Sequence, residues 1–189
     1  MKTRCPWLKL SNPVYVKYHD KEWGRPVHND QMHFELLTLE GAQAGLSWET
    51  VLMKREHYRK VFKKFHIQKV SKMTKADVSR LLKDPGIIRN RLKIESTISN
   101  AKAFLQLQKE FGSFDKYIWN FVDHKPIRNS FQQLKDYPSR TSLSDAISKD
   151  LKKRGFRFIG STIIYAYLQA AGLVQDHSVD CYLGGKKLR

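Results

Sequence analysis

Cysteine is scarce in this chain, with two residues, Cys5 and Cys181, among 189. Two cysteines are too few for the disulfide framework of a small secreted domain, so the composition favours a reducing compartment. The N-terminal residues MKTRCPWLKLSNP contain no apolar run of signal-peptide length, and the most apolar stretch, 156–174, is interrupted by charged and small residues. These absences predict a cytoplasmic protein with no membrane partner.

Acidic residues are also scarce: 18 Asp and Glu stand against 35 Lys and Arg, which gives a formal net charge of +17. A soluble domain rarely carries a net charge above about 8, and a larger charge repels itself unless it meets a polyanion. Nucleic acid is therefore the predicted partner, with general solubility as the alternative. The hydrophobic fraction of 41% suffices for one large core, and no linker or repeat divides the chain, so a single domain over 1–189 is expected.

Alternating strand patterns are nearly absent, and apolar residues recur instead at helical spacing, which predicts an all-α fold. The helix after Ser47 is expected to run to Phe65, and a long helix is expected from Ile87, after a Pro-Gly turn. Ser142 and Asp145 have the spacing of a capping box. The residues predicted to cap helices are Asp30, Ser47, Thr74, Ser113 and Ser142.

A tight turn between two helices lies within residues 151–173. Gly155 and Gly160 stand at its corners, where glycine permits positive φ and a close approach to another surface. The free amides at the start of the second helix, residues 161–163, can bind a phosphate. The alternative is an ordinary pair of helices with a solvated basic face. The basic residues at the turn favour a grip on a DNA backbone; they are Lys149, Lys152, Lys153, Arg154 and Arg157.

The two ends of the chain carry Cys and His residues. His177 and Cys181 are four residues apart, which places both side chains on one face of a helix or turn. With Cys5 and His19 they would complete a tetrahedral zinc site. Two free thiols, or a disulfide between Cys5 and Cys181, are the alternatives.

Aromatic residues cluster around one carboxylate. Glu40 lies on or beside the apolar face of its predicted helix, where a carboxylate is costly unless it is paired or used. Aromatic rings and a carboxylate together suit a flat, cationic ligand such as a flipped base. The alternative is that the tryptophans form core and that Glu40 is solvated or salt-bridged. The aromatic residues are Trp7, Tyr15, Tyr18, Trp23 and Trp48.

The chain closely resembles the 3-methyladenine DNA glycosylase I family, within the helix-hairpin-helix glycosylase superfamily. The matching stretches are RCPW at 4–7, YVKYHDKEWGRP at 15–26, LEGAQAGLSWETVLMKRE at 39–56, DPGIIRNRLKI at 84–94, WNFV at 119–122 and LKKRGFRFIGSTIIYAYLQAAGLVQDH at 151–177. The resemblance implies a helix-hairpin-helix DNA glycosylase fold, with the motif at about 142–172. It also implies hydrolysis of the N-glycosidic bond of 3-methyladenine flipped out of double-stranded DNA, in base excision repair.

The same resemblance implies roles for individual residues. One structural zinc ion per chain would join segments 1–20 and 175–183, held by Cys5, His19, His177 and Cys181. Glu40 would be the catalytic residue, in chemistry or in recognition, and the base would be bound by Tyr15, Tyr18, Trp48, Trp7 and Trp23. DNA would contact Gly155, Gly160, Ser161, Thr162, Lys152, Lys153 and Arg154. The turn at Gly45 and Leu46 is the expected wedge into the duplex.

Two departures from the wider superfamily bear on the mechanism. Gln175 stands where related glycosylases carry a catalytic Asp, and Asp176, one residue later, is expected to orient the zinc ligands. Thr162 stands where the bifunctional members carry a nucleophilic Lys. Without that amine no Schiff base can form, so a monofunctional enzyme without lyase activity is predicted.

Two other functions remain open from the residues alone. The hairpin and the basic face would also suit a DNA-binding module that performs no chemistry, and a zinc-stabilised RNA-binding protein is a third reading. A monomer is the expected oligomeric state.

Overall fold

Helices make up most of the computed structural model, which describes residues 2–185 of the chain. Residues 1 and 186–189 of the predicted domain 1–189 lie outside the described residues. The helices within the described range are α1 Pro13–Lys21, α2 Asp30–Gln43, α3 Trp48–Leu52, α4 Arg55–Val61, α5 Ile67–Ser71, α6 Lys75–Leu81, α7 Arg91–Phe111, α8 Phe114–Trp119, α9 Ser142–Lys153 and α10 Ser161–Ala170. Short 3₁₀ turns cover Lys63–Phe65, Asn120–Val122 and Leu134–Asp136.

Helix α2 is buried on all sides. Every residue from His33 to Ala42 is buried, which is the pattern of a helix enclosed by others rather than of a surface helix. It packs against α3, α7, α8 and α10. Asn29 caps its first turn by accepting a hydrogen bond from the amide of Met32 at 3.0 Å. A residue of α2 is therefore held at the centre of the fold.

Helices α9 and α10 pack on each other as a hairpin, and α10 also packs on α2. Two short strands pair in parallel: β1 Ile127–Arg128, which precedes α9, and β2 Val174–Gln175, which follows α10. This pairing holds the loop that precedes α9 against the C-terminal segment. The described chain is thus mostly helical rather than strictly all-α.

Several predicted helix boundaries were wrong, each for a local reason. The apolar set after Ser47 is divided among α3, α4 and a 3₁₀ turn, and positive φ at residues 63–65 prevents the α-helix from continuing to Phe65. Ile87 precedes α7, whose cap is Asn90. Ser144, not Asp145, completes the capping box of α9, with Thr141 as the cap.

Asp30 is the first residue of α2 rather than its cap. Its carboxylate accepts hydrogen bonds from the amides of Phe114 and Asp115, at 2.9 and 2.8 Å, and so caps α8 from a distance. The predicted caps Ser47, Thr74 and Ser113 are confirmed. No helix among residues 2–185 combines the length and apolarity needed to span a bilayer.

Candidate active site

A cleft of about 250 Å³ opens between α1, α2, α3, α10 and the loop before α9. All six residues predicted for the pocket line it, although they come from four separate segments of the chain. The lining residues are Trp7, Tyr15, Tyr18, Trp23, Glu40, Gln43, Trp48, Leu134, Tyr137, Pro138, Ala166 and Gln169. The structure therefore brings the sequence-predicted aromatic residues and Glu40 together.

Glu40 is the acidic residue of this cleft. Its side chain is 3% exposed, and its Oε2 atom has no hydrogen-bond partner among residues 2–185. The neighbouring carboxylate on α2, Glu35, is also buried but pairs with Arg55 at 2.6 Å. Burial without a partner raises the pKa of Glu40 to about 8. Since Glu40 is neither exposed nor ion-paired, the solvated and salt-bridged alternatives are both wrong for it.

The rings around Glu40 form one connected set, in which Tyr15 and Tyr18, with ring centroids 6.5 Å apart, link the other rings. The ring centroids of Trp7 lie 5.6 Å from Tyr15 and 4.7 Å from Trp23, and those of Tyr18 and Trp48 lie 5.3 Å apart. The Nε1 atoms of Trp7 and Trp48 are buried without a hydrogen-bond acceptor in the described chain. Such orphaned donors are costly unless a ligand satisfies them. Trp23 and Trp48 are core residues as well as lining residues.

Two of the lining tyrosines, Tyr15 and Tyr18, are held in their neutral form. Burial, and next the charge of Glu40, raises the pKa of Tyr15 to about 12. The same two causes raise the pKa of the fully buried Tyr18. Both hydroxyls therefore keep their protons over the whole neutral pH range.

Four potential metal ligands meet beside the cleft. The ligand atoms of Cys5, His19, His177 and Cys181 all lie within 4.8 Å of one another, and all four residues are buried. Sγ of Cys5 lies 3.3 Å from Nδ1 of His177, and Sγ of Cys181 lies 3.6 Å from Nε2 of His19. Zn–S and Zn–N bonds of ordinary length in a tetrahedron separate S and N by about 3.5 Å. The donor set and its spacing therefore fit a tetrahedral ion such as zinc.

The imidazoles of this cluster are oriented by partners outside it. Nδ1 of His19 lies 2.9 Å from the carboxylate of Asp20, which is itself paired with Arg4 at 2.8 Å. Nε2 of His177 lies 3.2 Å from the carbonyl oxygen of Trp23. Metal-binding histidines ordinarily hold their second nitrogen in this way.

The two cysteines differ in the direction in which their thiol pKa values are shifted. Both are free thiols, so the alternative of a disulfide between them is wrong. The pKa of Cys181 is lowered by a hydrogen bond from Cys5 and, further, by His177 and His19. The pKa of Cys5 is raised by the same bond to Cys181 and by burial.

Asp176 does not orient the metal ligands, contrary to the expectation from sequence. Its carboxylate accepts hydrogen bonds from the hydroxyl of Tyr165 and from Nε2 of Gln169 and Nδ2 of Asn129, the last two at 2.7 Å. Asp20 takes the expected role instead, since its carboxylate contacts His19 directly.

The hairpin turn presents amides and two lysines to the exterior. Gly155 has φ +86°, and Gly160 precedes α10 without any side-chain cap, so the first amides of α10 remain available. Lys152 and Lys153 are exposed. Arg154 is half-buried and ion-paired with Glu110 at 2.6 Å and with Asp150 at 2.7 Å. Each of the hairpin residues predicted to contact DNA is thus at least partly exposed, and the charge of Arg154 is paired within the chain.

The turn after α2 is exposed and anchored from below. Gly45 has φ +77°, and Leu46 is 43% exposed. Nζ of Lys93, on α7, donates hydrogen bonds to the carbonyl oxygens of Ala42 at 2.8 Å and Ala44 at 2.6 Å. Lys93 therefore satisfies the carbonyl end of α2 and fixes the start of the turn.

Several lining residues escaped sequence reasoning. Gln43 lies one helical turn after Glu40, and that i, i+3 spacing could have identified it. Gln169 and Ala166 come from the second hairpin helix, and Leu134, Tyr137 and Pro138 come from the loop before α9. No local pattern places these two segments beside α2.

Comparisons with known proteins agree with this geometry. A family model described as methyladenine glycosylase matches residues 7–184. A DNA-3-methyladenine glycosylase of Haemophilus influenzae is 50% identical over 181 residues, which are 96% of this chain and 97% of that protein. A crystal structure of 3-methyladenine DNA glycosylase I has a TM-score of 0.94 at 47% identity, covering 96% of this chain and 100% of that one. A variant of 3-methyladenine DNA glycosylase I in complex with 3-methyladenine has a TM-score of 0.93 at 37% identity, covering 97% and 98%.

Proposed function

The chain belongs to the methyladenine glycosylase family, and we propose that it removes 3-methyladenine from double-stranded DNA by hydrolysing the N-glycosidic bond, a step of base excision repair. The observation that carries the proposal is the unpartnered, buried carboxyl of Glu40 among aromatic rings. A buried polar atom without a partner marks a place where a ligand completes the structure. The similarity to an enzyme bound to 3-methyladenine supports this base as the ligand.

The charge of the damaged base explains the choice of substrate. 3-Methyladenine in DNA is cationic, and it becomes neutral when its bond to C1′ of the sugar breaks. The leaving group is therefore already activated, and no strong general acid is required. Glu40 accepts hydrogen bonds from the base edge and complements the positive charge, while neutral adenine gains no such charge term.

The protonation of Glu40 is coupled to base binding. Because its pKa is about 8 in the free protein, the carboxyl is largely protonated at neutral pH while the cleft is empty. A cation within a few ångströms favours the carboxylate and lowers that pKa. Entry of the cationic base thus promotes ionisation of Glu40, and the resulting carboxylate is the counter-ion of the base.

The rings supply shape and donors. Trp48 and Tyr18 stack against the flat base, and Tyr15, Trp7 and Trp23 close the remaining walls. The orphaned Nε1–H group of Trp7 provides a donor for a ring nitrogen of the base.

The hairpin is proposed as the helix-hairpin-helix grip on the DNA backbone. Gly160 has ordinary φ, and a Cβ built there would meet nothing within 4 Å, so nothing inside the chain requires glycine. Glycine at this position is explained by a DNA backbone that approaches closely from outside, toward the amides of Ser161 and Thr162. Lys152 and Lys153 add charge, and Arg154, held in its ion pairs, orders the turn.

The duplex is proposed to be opened at the turn after α2. Leu46 is exposed beside the exposed Gly45, and together they form a wedge that fills the space left by the flipped nucleotide.

The Cys and His cluster is proposed to hold one structural zinc ion per chain. Cys5, His19, His177 and Cys181 would hold it, and four protein ligands leave no open coordination position for substrate. The ion would join the N-terminal segment, which carries Trp7, to the segment after α10.

Base release is proposed to proceed without strand cleavage. No lysine lines the described cleft, and Thr162 occupies the place of the lyase nucleophile. We further propose a reducing cytoplasm as the compartment of the protein, since both buried cysteines are free thiols in a ligand cluster. The proposed oligomeric state is a monomer.

Chromatography of the bases released from methylated duplex DNA tests the proposal. The expected product is free 3-methyladenine, with none from unmethylated duplex and no borohydride-trapped protein–DNA adduct. Binding to DNA with steep salt dependence but without base release would instead identify a non-catalytic DNA-binding module. Preference for RNA in competition would identify an RNA-binding protein.

A further inference from the structure

A buried carboxylate holds the α10 side of the cleft, and no step above uses it. Asp176 is completely buried. Its Oδ2 accepts hydrogen bonds from Tyr165 and Gln169, and its Oδ1 accepts one from Asn129. Its main-chain carbonyl accepts a further bond from the hydroxyl of Tyr137 at 3.0 Å. Gln169 and Tyr137 both line the cleft, so Asp176 fixes two of its walls.

This network determines which end of the Gln169 amide faces the cleft. Each oxygen of Asp176 already accepts from a donor, and Gln169 can join only through its Nε2–H group. The amide oxygen of Gln169 must therefore point away from Asp176. That oxygen makes no hydrogen bond within residues 2–185, which leaves it as an acceptor for something in the cleft.

The depth of Gln169 indicates which part of the substrate it meets. Glu40 is 3% exposed and so lies at the buried end of the cleft, whereas Gln169, in the same lining, is only half-buried. A flipped nucleotide enters base first. Groups at the buried end then face the base, and groups near the mouth face the sugar and the glycosidic bond.

We infer that the amide oxygen of Gln169, aligned by Asp176, holds the water molecule that attacks C1′ of the flipped nucleotide. The inference rests on the proposed glycosylase function. Gln169 would supply the hydrogen-bond acceptor for the attacking water. Such an acceptor is needed because this chain has Gln175, not a carboxylate, at the superfamily's catalytic Asp position. Asp176 is a positioning residue, because it acts only through Gln169.

The step balances without a further reactant. The bond between the base nitrogen and C1′ breaks, and its electron pair neutralises the cationic base. The water oxygen bonds to C1′, and its proton is released to solvent through the open mouth of the cleft. An amide oxygen is too weak a base to take that proton, so Gln169 orients the water without deprotonating it.

The test replaces the amide with a side chain of similar length. Gln169→Met removes the acceptor, and Gln106→Met, on the exposed face of α7, is the matched control. Three quantities are measured: the single-turnover rate of 3-methyladenine release at saturating enzyme, the affinity for free 3-methyladenine by tryptophan fluorescence, and the ratio of methanol to water adducts at C1′ in a methanol–water mixture.

The expected result is a release rate about 10- to 50-fold lower in Gln169→Met, about 1.4–2.3 kcal/mol in barrier. Affinity for the free base should be unchanged and the methanol fraction higher, because the water is no longer selected. Gln106→Met should match the wild type in all three. Asp176→Asn, if its melting temperature is retained, should show the same split between rate and affinity.

Other outcomes separate the inference from the function on which it rests. Release at the wild-type rate and an unchanged methanol fraction in Gln169→Met would overturn the inference. A loss of free-base affinity as large as the loss of rate would also overturn it, by showing that Gln169 contacts the base. Absence of base release by the wild type would instead refute the proposed glycosylase function.

Discussion

The ring centroids of Tyr18 and Trp48 lie 5.3 Å apart. This contact joins α1, which carries Tyr18, to Trp48, the first residue of α3. Thirty residues of chain separate the two, and α2 with Glu40 lies between them in sequence. The rings contact each other directly, so the wall is preformed rather than assembled around a ligand. A preformed aromatic wall reduces the ordering cost of base binding.

The stability of the protein should depend on pH through Glu40. Its pKa is about 8 when folded against an ordinary value of 4.5, so between these values the folded state binds more protons than the unfolded state. The free energy of unfolding therefore falls as pH rises from about 4.5 to 8. Each pKa unit corresponds to about 1.4 kcal/mol, so the loss reaches at most about 5 kcal/mol.

Urea denaturation of the wild type and Glu40→Gln at pH 5, 6, 7 and 8 measures this effect. The difference in stability between the two proteins should grow with pH in favour of Glu40→Gln. A constant difference over this range would show that Glu40 titrates normally.

Substituting Gly160 should separate DNA binding from folding. A Cβ there meets no atom of the chain within 4 Å and φ is ordinary, but glycine is favoured over alanine at an N-cap, so Gly160→Ala should change stability by less than about 1 kcal/mol. The added methyl obstructs the approach of a phosphate, and we expect DNA affinity to fall about 5- to 10-fold, near 1 kcal/mol. Gly155→Ala, at φ +86°, should instead cost about 1–2 kcal/mol of stability.

Melting curves and DNA titrations at fixed salt measure both properties. Unchanged DNA affinity in Gly160→Ala would place the DNA backbone elsewhere.

Removing the proposed zinc ion should unfold the junction of the chain ends without a direct effect on chemistry. Cys181→Ser and His19→Gln each delete one of the four ligands. We expect a loss above about 4 kcal/mol, as for other lost metal sites. His66→Gln, an exposed histidine outside the cluster, is the control.

Elemental analysis of the purified wild type should find one zinc per chain, and a strong chelator should lower the melting temperature. Purified protein with no tightly bound zinc and an unaltered melting temperature in Cys181→Ser would contradict the structural role.

Lys93 should matter for base flipping although it lies outside the cleft. Its Nζ donates to Ala42 and Ala44, and Lys93→Met leaves these carbonyls without that donor and loosens the turn that carries Leu46. We expect a stability loss of about 1–2 kcal/mol, together with slower base release. Lys102→Met, an exposed lysine on the same helix, is the control. If base release by Lys93→Met, measured below its melting temperature, is as fast as that of the wild type, the turn does not contribute to base flipping.

The sequence was sufficient to predict the parts of the site that follow from residue type. Residue type marks Glu40 as a carboxylate that is costly on an apolar face, and it marks Cys5, His19, His177 and Cys181 as candidate ligands, a set that only the family resemblance completes. The charge state of Glu40 was not predictable, since it depends on the absence of a buried partner, which is a property of the packed structure.

Side-chain contacts between segments that are far apart in the chain are not predicted from the sequence. Asp176 lies beside a metal ligand in sequence, yet its side chain binds Tyr165, Gln169 and Asn129. Arg154 is at the hairpin but is paired by Glu110, 44 residues away. In each case tertiary pairing decides the role, and no local spacing encodes it.

The most direct test of the account is the rate of 3-methyladenine release by Glu40→Gln, compared with its affinity for undamaged duplex DNA. The amide keeps the shape of the side chain but cannot become an anion, so release should fall on the order of 100-fold, near 2.7 kcal/mol. DNA affinity should stay within about twofold, because the proposed hairpin grip does not involve Glu40. Release at the wild-type rate would contradict the claim that this carboxyl receives the cationic base.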